Sequence, residues 1–116
     1  MSENYKENRP WGTFENLLDT DYCKVKEIVV KPNESPSYQY HLKRSEVWVV
    51  TKGVGQLKLD DKLMDVEPGS VLCIPTKSKH QIVNTGDEDL VFIEVQIGEY
   101  FGEDDIVRIE DKYGRT

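Results

Sequence analysis

Pro32-Asn33-Glu34-Ser35-Pro36-Ser37-Tyr38-Gln39-Tyr40-His41-Leu42-Lys43-Arg44-Ser45-Glu46-Val47-Trp48-Val49-Val50-Thr51-Lys52-Gly53 is the stretch on which the fold turns. It contains two strand-like runs, Pro36 to His41 and Ser45 to Thr51. The second is rich in the β-branched and aromatic residues that suit a pleated, half-buried surface. Lys31-Pro32-Asn33-Glu34 before them and Lys52-Gly53 after them are turn signals. Gln39 and His41 stand two residues apart, so on a strand they share a face. Glu46 follows beyond the polar link Leu42-Lys43-Arg44-Ser45. A hairpin-like return there can set it opposite the Gln39 and His41 face, with Trp48 and Val50 beside it as pocket-lining residues.

Outward from this stretch the pattern repeats. Tyr22 to Val30 precedes it as a strand. Gln56-Leu57-Lys58-Leu59 alternates polar and apolar, Asp60-Asp61-Lys62 forms a tight hairpin turn, and Leu63 to Val66 returns. Glu67-Pro68-Gly69 turns the chain again, Ser70 to Ile74 is a short strand stopped by Pro75, and Gln81 to Asn84 and Leu90 to Ile97 follow. No window long enough for a central helix shows a 3.6-residue apolar period. Short strands with regular turns predict a closed all-β barrel or jelly roll. Arg9-Pro10-Trp11-Gly12 reads as a turn with Trp11 anchored on the barrel. Residues 1–8 are expected to form a mobile tail and residues 9–116 one domain.

Bulk properties narrow the partners. At 116 residues the chain suits one core that needs no disulfide. Its 37% hydrophobic and 32% charged residues are polar for a globular domain, but the apolar ones are clustered. A formal net charge of −7 without a basic stripe argues against nucleic acid and anionic membrane. A small anionic ligand remains compatible, because a few local cations dominate a closed pocket. Cys23 and Cys73 each lie in an apolar run and are expected as buried free thiols in a reducing compartment. The N-terminal residues lack an apolar signal core and no run reaches membrane-spanning length. A cytoplasmic location is expected.

His41 and His80 are the only two histidines. Two imidazoles, the Glu46 carboxylate and the Gln39 amide oxygen make a mixed N/O set for one divalent ion, with zinc first and manganese, cobalt, iron or nickel as alternatives. A single histidine near a strand end is more often hydrogen-bonded than ligating, and Gln-x-His alone is weak. The second half of the chain adds to it. Gly69, Pro75, Lys77, His80 and Asn84 stand in an order that resembles the second cupin motif, and Gln39, His41, Glu46 and Gly53 resemble the first. That resemblance implies the cupin double-stranded β-helix, a jelly-roll barrel, with Gln39, His41, Glu46 and His80 on the metal.

The resemblance narrows further. Arg9-Pro10-Trp11-Gly12, Val25-Lys26 with Ile28, and Gln39-x-His41-x-x-Arg44-x-Glu46-x-Trp48 look like the isomerase domain of type II mannose-6-phosphate isomerases. So do Ile93-Glu94-Val95-Gln96-x-Gly98-x-Tyr100-x-Gly102-Glu103-Asp104-Asp105-Ile106-Val107-Arg108 and the terminal Asp111-x-Tyr113-Gly114-Arg115. In that family the domain is often the C-terminal half of a bifunctional enzyme with a mannose-1-phosphate guanylyltransferase. No Gly-rich nucleotide-binding segment stands in this sequence, so only the isomerase part is expected. The implied reaction interconverts mannose 6-phosphate and fructose 6-phosphate through an enediol(ate), with a metal stabilising charge on oxygen and a general base moving the proton. Glu94 and Glu46 are the candidate bases, Glu94 being freer if Glu46 ligates. Arg44 and Arg108 are candidate phosphate cations; the competing reading of each is a structural ion pair. Lys24 and Lys26 are read as the solvated face of their strand. Lys79 is expected to point away from the metal, and Glu103-Asp104-Asp105 to be a solvated acidic turn rather than a second metal site. Trp11, Tyr100 and Tyr113 are packing residues that could stack on sugars.

This chain departs from the family at Leu42 or Lys43, where histidine is frequent, at Lys77 in place of glycine, and at Gln81 in place of an arginine. The rival class is therefore a metal-bearing cupin that binds a sugar or sugar phosphate without turnover. A cupin oxygenase is a third reading, disfavoured by the low histidine count. By fold analogy a homodimer is expected, with the Arg9 to Trp11 arm available for exchange between subunits.

Overall fold

The computed structural model describes residues 4–110, and among them there is no helix. Eleven strands form among the described residues: β1 Lys6–Arg9, β2 Gly12–Asp19, β3 Cys23–Val30, β4 Tyr38–Tyr40, β5 Arg44–Lys52, β6 Gly55–Leu59, β7 Lys62–Val66, β8 Val71–Ile74, β9 His80–Asn84, β10 Leu90–Gly98 and β11 Val107–Glu110. A six-stranded sheet runs β1-β2-β3-β10-β5-β8 and a five-stranded sheet runs β11-β4-β9-β6-β7. All pairings are antiparallel. The all-β architecture expected from the sequence is the one observed. The terminal motif Asp111 to Arg115, with Tyr113, lies outside the described residues.

Most predicted strands appear within a residue or two of their expected ends. The hairpin at Asp60-Asp61 is a two-residue turn closed by the Leu59 and Lys62 pair, both aspartates having positive φ (47° and 70°). Gly53, at φ 82°, makes the turn after β5; a Cβ there would lie 2.5 Å from the Asp89 carbonyl oxygen. Two expectations need correction. Part of the supposed tail, Lys6 to Asn8, is strand: Lys6–Arg9 pairs with β2 across the Pro10-Trp11 turn. Its all-polar sequence hid it, because the edge position leaves its side chains largely in solvent. Cys73 is exposed rather than buried, on the outer face of β8, while Cys23 is half-buried; both are free thiols.

The interior is divided along its length. On β10 the inward residues are Leu90, Phe92, Glu94 and Gln96, which change from apolar to polar along one strand. Its neighbours change in register. Leu90 pairs with Val30, Phe92 with Ile28 and Val50, Glu94 with Lys26 and Trp48, and Gln96 with Glu46. One end of the barrel therefore holds the hydrophobic core, including Val30, Val50, Leu57, Ile82 and Leu90. The other end holds buried polar side chains around a cavity. Trp48 and Phe92 stack with ring centroids 4.4 Å apart and form the floor between the two. Trp11 is buried in the core cluster, as its anchor role requires.

Candidate metal centre

β4 is short and ends one residue before His41, so Gln39 and His41 project toward the same side, and Gln39 sits directly across from His80 at the start of β9. β5 returns along the opposite sheet and presents Arg44, Glu46 and Trp48 inward, all buried. Hence the site draws on both sheets. One ligand atom each from His41, Glu46 and His80 can be chosen such that all lie within 4.8 Å of one another. The imidazole centroids are 5.2 Å apart, and His41 Nε2 lies 3.3 Å from Glu46 Oε2.

The hydrogen bonds behind these side chains decide which atoms face inward. His41 Nδ1 lies 2.6 Å from the Asp105 carbonyl oxygen and His80 Nδ1 lies 3.0 Å from the Ser78 carbonyl oxygen. A carbonyl only accepts, so both Nδ1 atoms donate, which leaves both Nε2 atoms facing the site. Burial lowers the pKa of His41, and the Arg44 charge adds to the effect. Together they outweigh the pull of Glu46, so the ring is held neutral, as a ligand must be. Glu46 is fully enclosed, yet its pKa falls to about 2: burial raises it, but His80, Arg44, His41 and a hydrogen bond with Glu94 outweigh that. Trp48 Nε1 donates to Glu46 Oε1 at 2.8 Å and fixes the carboxylate.

Arg44 is the main cation inside. Its Nε donates to Glu46 Oε2 at 2.8 Å and its Nη2 lies 3.3 Å from His41 Nε2. The acceptor atoms of the His/Glu group thus already face one positive charge, and the donor set suits a cation. Gln39 lines the same cavity; its amide nitrogen donates to Ser37 Oγ at 3.2 Å. Glu94 is buried among these groups and accepts from Gln96 Nε2 at 2.7 Å. Burial first and the Glu46 charge second push its pKa up to about 8. Arg108 on β11 pairs in register with Gln39 and lines the cavity.

Several neighbours escaped the sequence reading. Lys26, read as solvated, is 3% exposed and lines the cavity, because the parity that turns Ile28 and Val30 inward turns it inward too. The acidic turn is not freely solvated. The Asp105 carboxylate, in a 7% exposed residue, accepts from the Leu42 and Lys43 backbone N–H groups at 2.9 Å each. Glu103 reaches into the mouth and pairs with Lys26. Tyr100 packs under the Lys43 ammonium and bonds Asp104, away from the cavity lining. Lys79 pairs with Asp61 outside the cavity, as expected. Gln81 lines the cavity and donates to the Pro36 carbonyl at 3.1 Å.

Fold and site together define a cupin-type barrel with a buried His/Glu/His group able to hold a metal ion. The family model for the mannose-6-phosphate isomerase C-terminal domain matches residues 1–111, and the chain belongs to that family. The alginate biosynthesis protein AlgA of Pseudomonas aeruginosa is 44% identical over 108 residues, covering 93% of this chain and 22% of that protein. The chain thus spans about a fifth of the length of the curated relatives it matches. Among solved structures, the capsular polysaccharide assembling protein CapF of Staphylococcus aureus superposes with TM-score 0.79 at 25% identity, over 95% of this chain and 35% of that one. A double-stranded β-helix protein from Klebsiella pneumoniae does so with TM-score 0.74 at 16% identity, over 94% and 86%. The cupin double-stranded β-helix is the fold of this chain. Among the described residues no helix is long and apolar enough to cross a membrane.

Proposed function

We propose that this domain interconverts mannose 6-phosphate and fructose 6-phosphate, using one divalent ion, zinc first, held by His41, Glu46, His80 and Gln39. The observation that carries the reading is the convergence of the His41, His80 and Glu46 ligand atoms within 4.8 Å, with both Nδ1 protons committed to backbone carbonyls. The family assignment supports this substrate class. When bound, a divalent ion there would supply a Lewis acid for negative charge developing on the sugar oxygens. Glu94, buried and held by Gln96, is the group positioned to carry the proton between the two adjacent carbons. Arg44 and Arg108 supply positive charge toward the phosphate. The Trp48 and Phe92 floor keeps water from the apolar side.

The test is turnover of mannose 6-phosphate by protein loaded with zinc, manganese, cobalt or iron(II), with His41→Ala as control. Metal-dependent conversion that falls at least about 100-fold in His41→Ala is expected, since ligand loss removes both charge and geometry. Stoichiometric metal without turnover would sink the isomerase reading. It would favour the non-catalytic sugar-phosphate cupin, to which Gln81 in the cavity already lends some support.

A further inference from the structure

Two buried cations at the mouth of the cavity share one carboxylate. Lys26 Nζ lies 2.7 Å from Glu103 Oε1 and 4.2 Å from the centroid of the Phe14 ring. Arg44 commits Nε to Glu46 and Nη2 to His41, which leaves Nη1 facing the mouth, 3.9 Å from Glu103 Oε2. The lysine and arginine side chains are 4% and 7% exposed, whereas that of Glu103 is 45% exposed. Glu103 also sits on the connection between β10 and β11, not on a strand. Rotation of its side chain alone can carry the carboxylate into solvent, while the cations are fixed by the barrel.

We propose that Lys26 and Arg44 form the binding site for the phosphate monoester of the ligand, and that Glu103 is an internal anion that holds this position and leaves when phosphate enters. The proposal rests on the sugar-phosphate reading above and names the part of the cavity that reads the phosphate. Three observations favour a phosphate over a neutral sugar. First, a chain of net charge −7 sets four cations, Arg9, Lys26, Arg44 and Arg108, against three carboxyl groups, Glu46, Glu94 and Glu103, around one cavity, a local balance that favours an anion where the whole-chain charge opposes it. Second, a buried ammonium is costly without a partner, so the site is built for an oxyanion and the chain supplies one of its own. Third, the pair with Arg44 is long at 3.9 Å, so a tetrahedral oxyanion with more oxygens and more charge can satisfy both cations better than one carboxylate. Phosphate at the mouth and the His/Glu/His group deeper in place the two ends of an open-chain sugar phosphate along one cavity. Glu103 then acts as a competitor: observed affinity equals intrinsic affinity scaled by the fraction of molecules in which the mouth is open.

Calorimetric titration of mannose 6-phosphate, inorganic phosphate and mannose into wild type, Glu103→Gln and Lys26→Met tests this. Both phosphates should bind wild type and mannose should not. Glu103→Gln should tighten phosphate binding by about three- to tenfold, as the internal competitor is removed. Lys26→Met, with its fold verified by circular dichroism, should weaken it by at least about tenfold. Glu103→Gln changes a half-exposed residue and keeps an amide oxygen that can accept from Lys26, so, with its fold verified in the same way, it carries the test if Lys26→Met fails to fold. Unchanged or weaker binding in Glu103→Gln, or undiminished binding in a folded Lys26→Met, would overturn the proposal. The expected affinity pattern without isomerase turnover would retire the isomerase reading and leave this site standing. Turnover with a KM unmoved in both variants would retire the site and leave the isomerase.

Discussion

Glu94 is held between two unfavourable surroundings, since it has lost water and it faces the Glu46 charge. Its pKa rises to about 8 from an ordinary 4.5. Between those values the folded chain keeps a proton that the unfolded chain has released, so stability falls as pH rises through that window. With a chelator present, urea unfolding of wild type should therefore weaken from about pH 5 to about pH 8.5. Glu94→Gln, which needs no proton to stay neutral, should be flatter and more stable than wild type at the alkaline end, by about 1.4 kcal/mol for each unit by which the folded pKa exceeds the unfolded one. A wild-type profile as flat as the variant would show Glu94 ionised throughout. Gln39, His41, Glu46 and His80 have a distinctive spacing, and the sequence alone marks them as a candidate set. Lys26 is not marked in this way, because Lys24-Val25-Lys26 reads equally well with either face outward; only the inward parity of Ile28 and Val30 two and four residues on settles it.

At the scale of elements, the connection from β10 to β11 acts as a strap. The Asp105 carboxylate caps two backbone N–H groups of the β4 to β5 link, and its carbonyl oxygen holds His41 Nδ1. Asp105→Ala removes both caps and frees the backbone that orients the histidine. Zinc affinity measured by competition with a chelator should fall about 10- to 100-fold. Thermal or urea unfolding should show a loss of about 1–3 kcal/mol from the stranded buried donors. Unchanged zinc affinity at reduced stability would confine Asp105 to a packing role. This strap explains why the acidic run misleads when read alone: three adjacent acids look solvated, and nothing local tells that one of them meets a distant pair of amides. The strands show the same divide. β3, β5 and β10 declare themselves by β-branched alternation, whereas β2 mixes Gly, Glu, Asn and Asp into its run and is strand because β3 pairs with it. β1 is a polar edge that sequence pattern does not mark, whereas the edge strand β11 alternates Val107 and Ile109 with Arg108 and Glu110 but leaves both apolar side chains exposed.

For the whole molecule, composition spoke truly about class but not about the cavity. A net charge of −7 describes the whole chain, while the mouth collects cations that become neighbours only when the sheets close. The division into an apolar and a polar end also came from register, which depends on how the strands align rather than on any one of them. The Trp48 and Phe92 floor belongs to both ends. The site residues come from β4 and β9 on one sheet and from β5 and β10 on the other. Whatever the cavity holds is therefore a brace between the two sheets, added to the core and to cross-sheet hydrogen bonds such as that from Asn84 Nδ2 to the Val30 carbonyl. Its binding free energy is spent on keeping the barrel shut, so occupancy and melting temperature are two readings of one equilibrium.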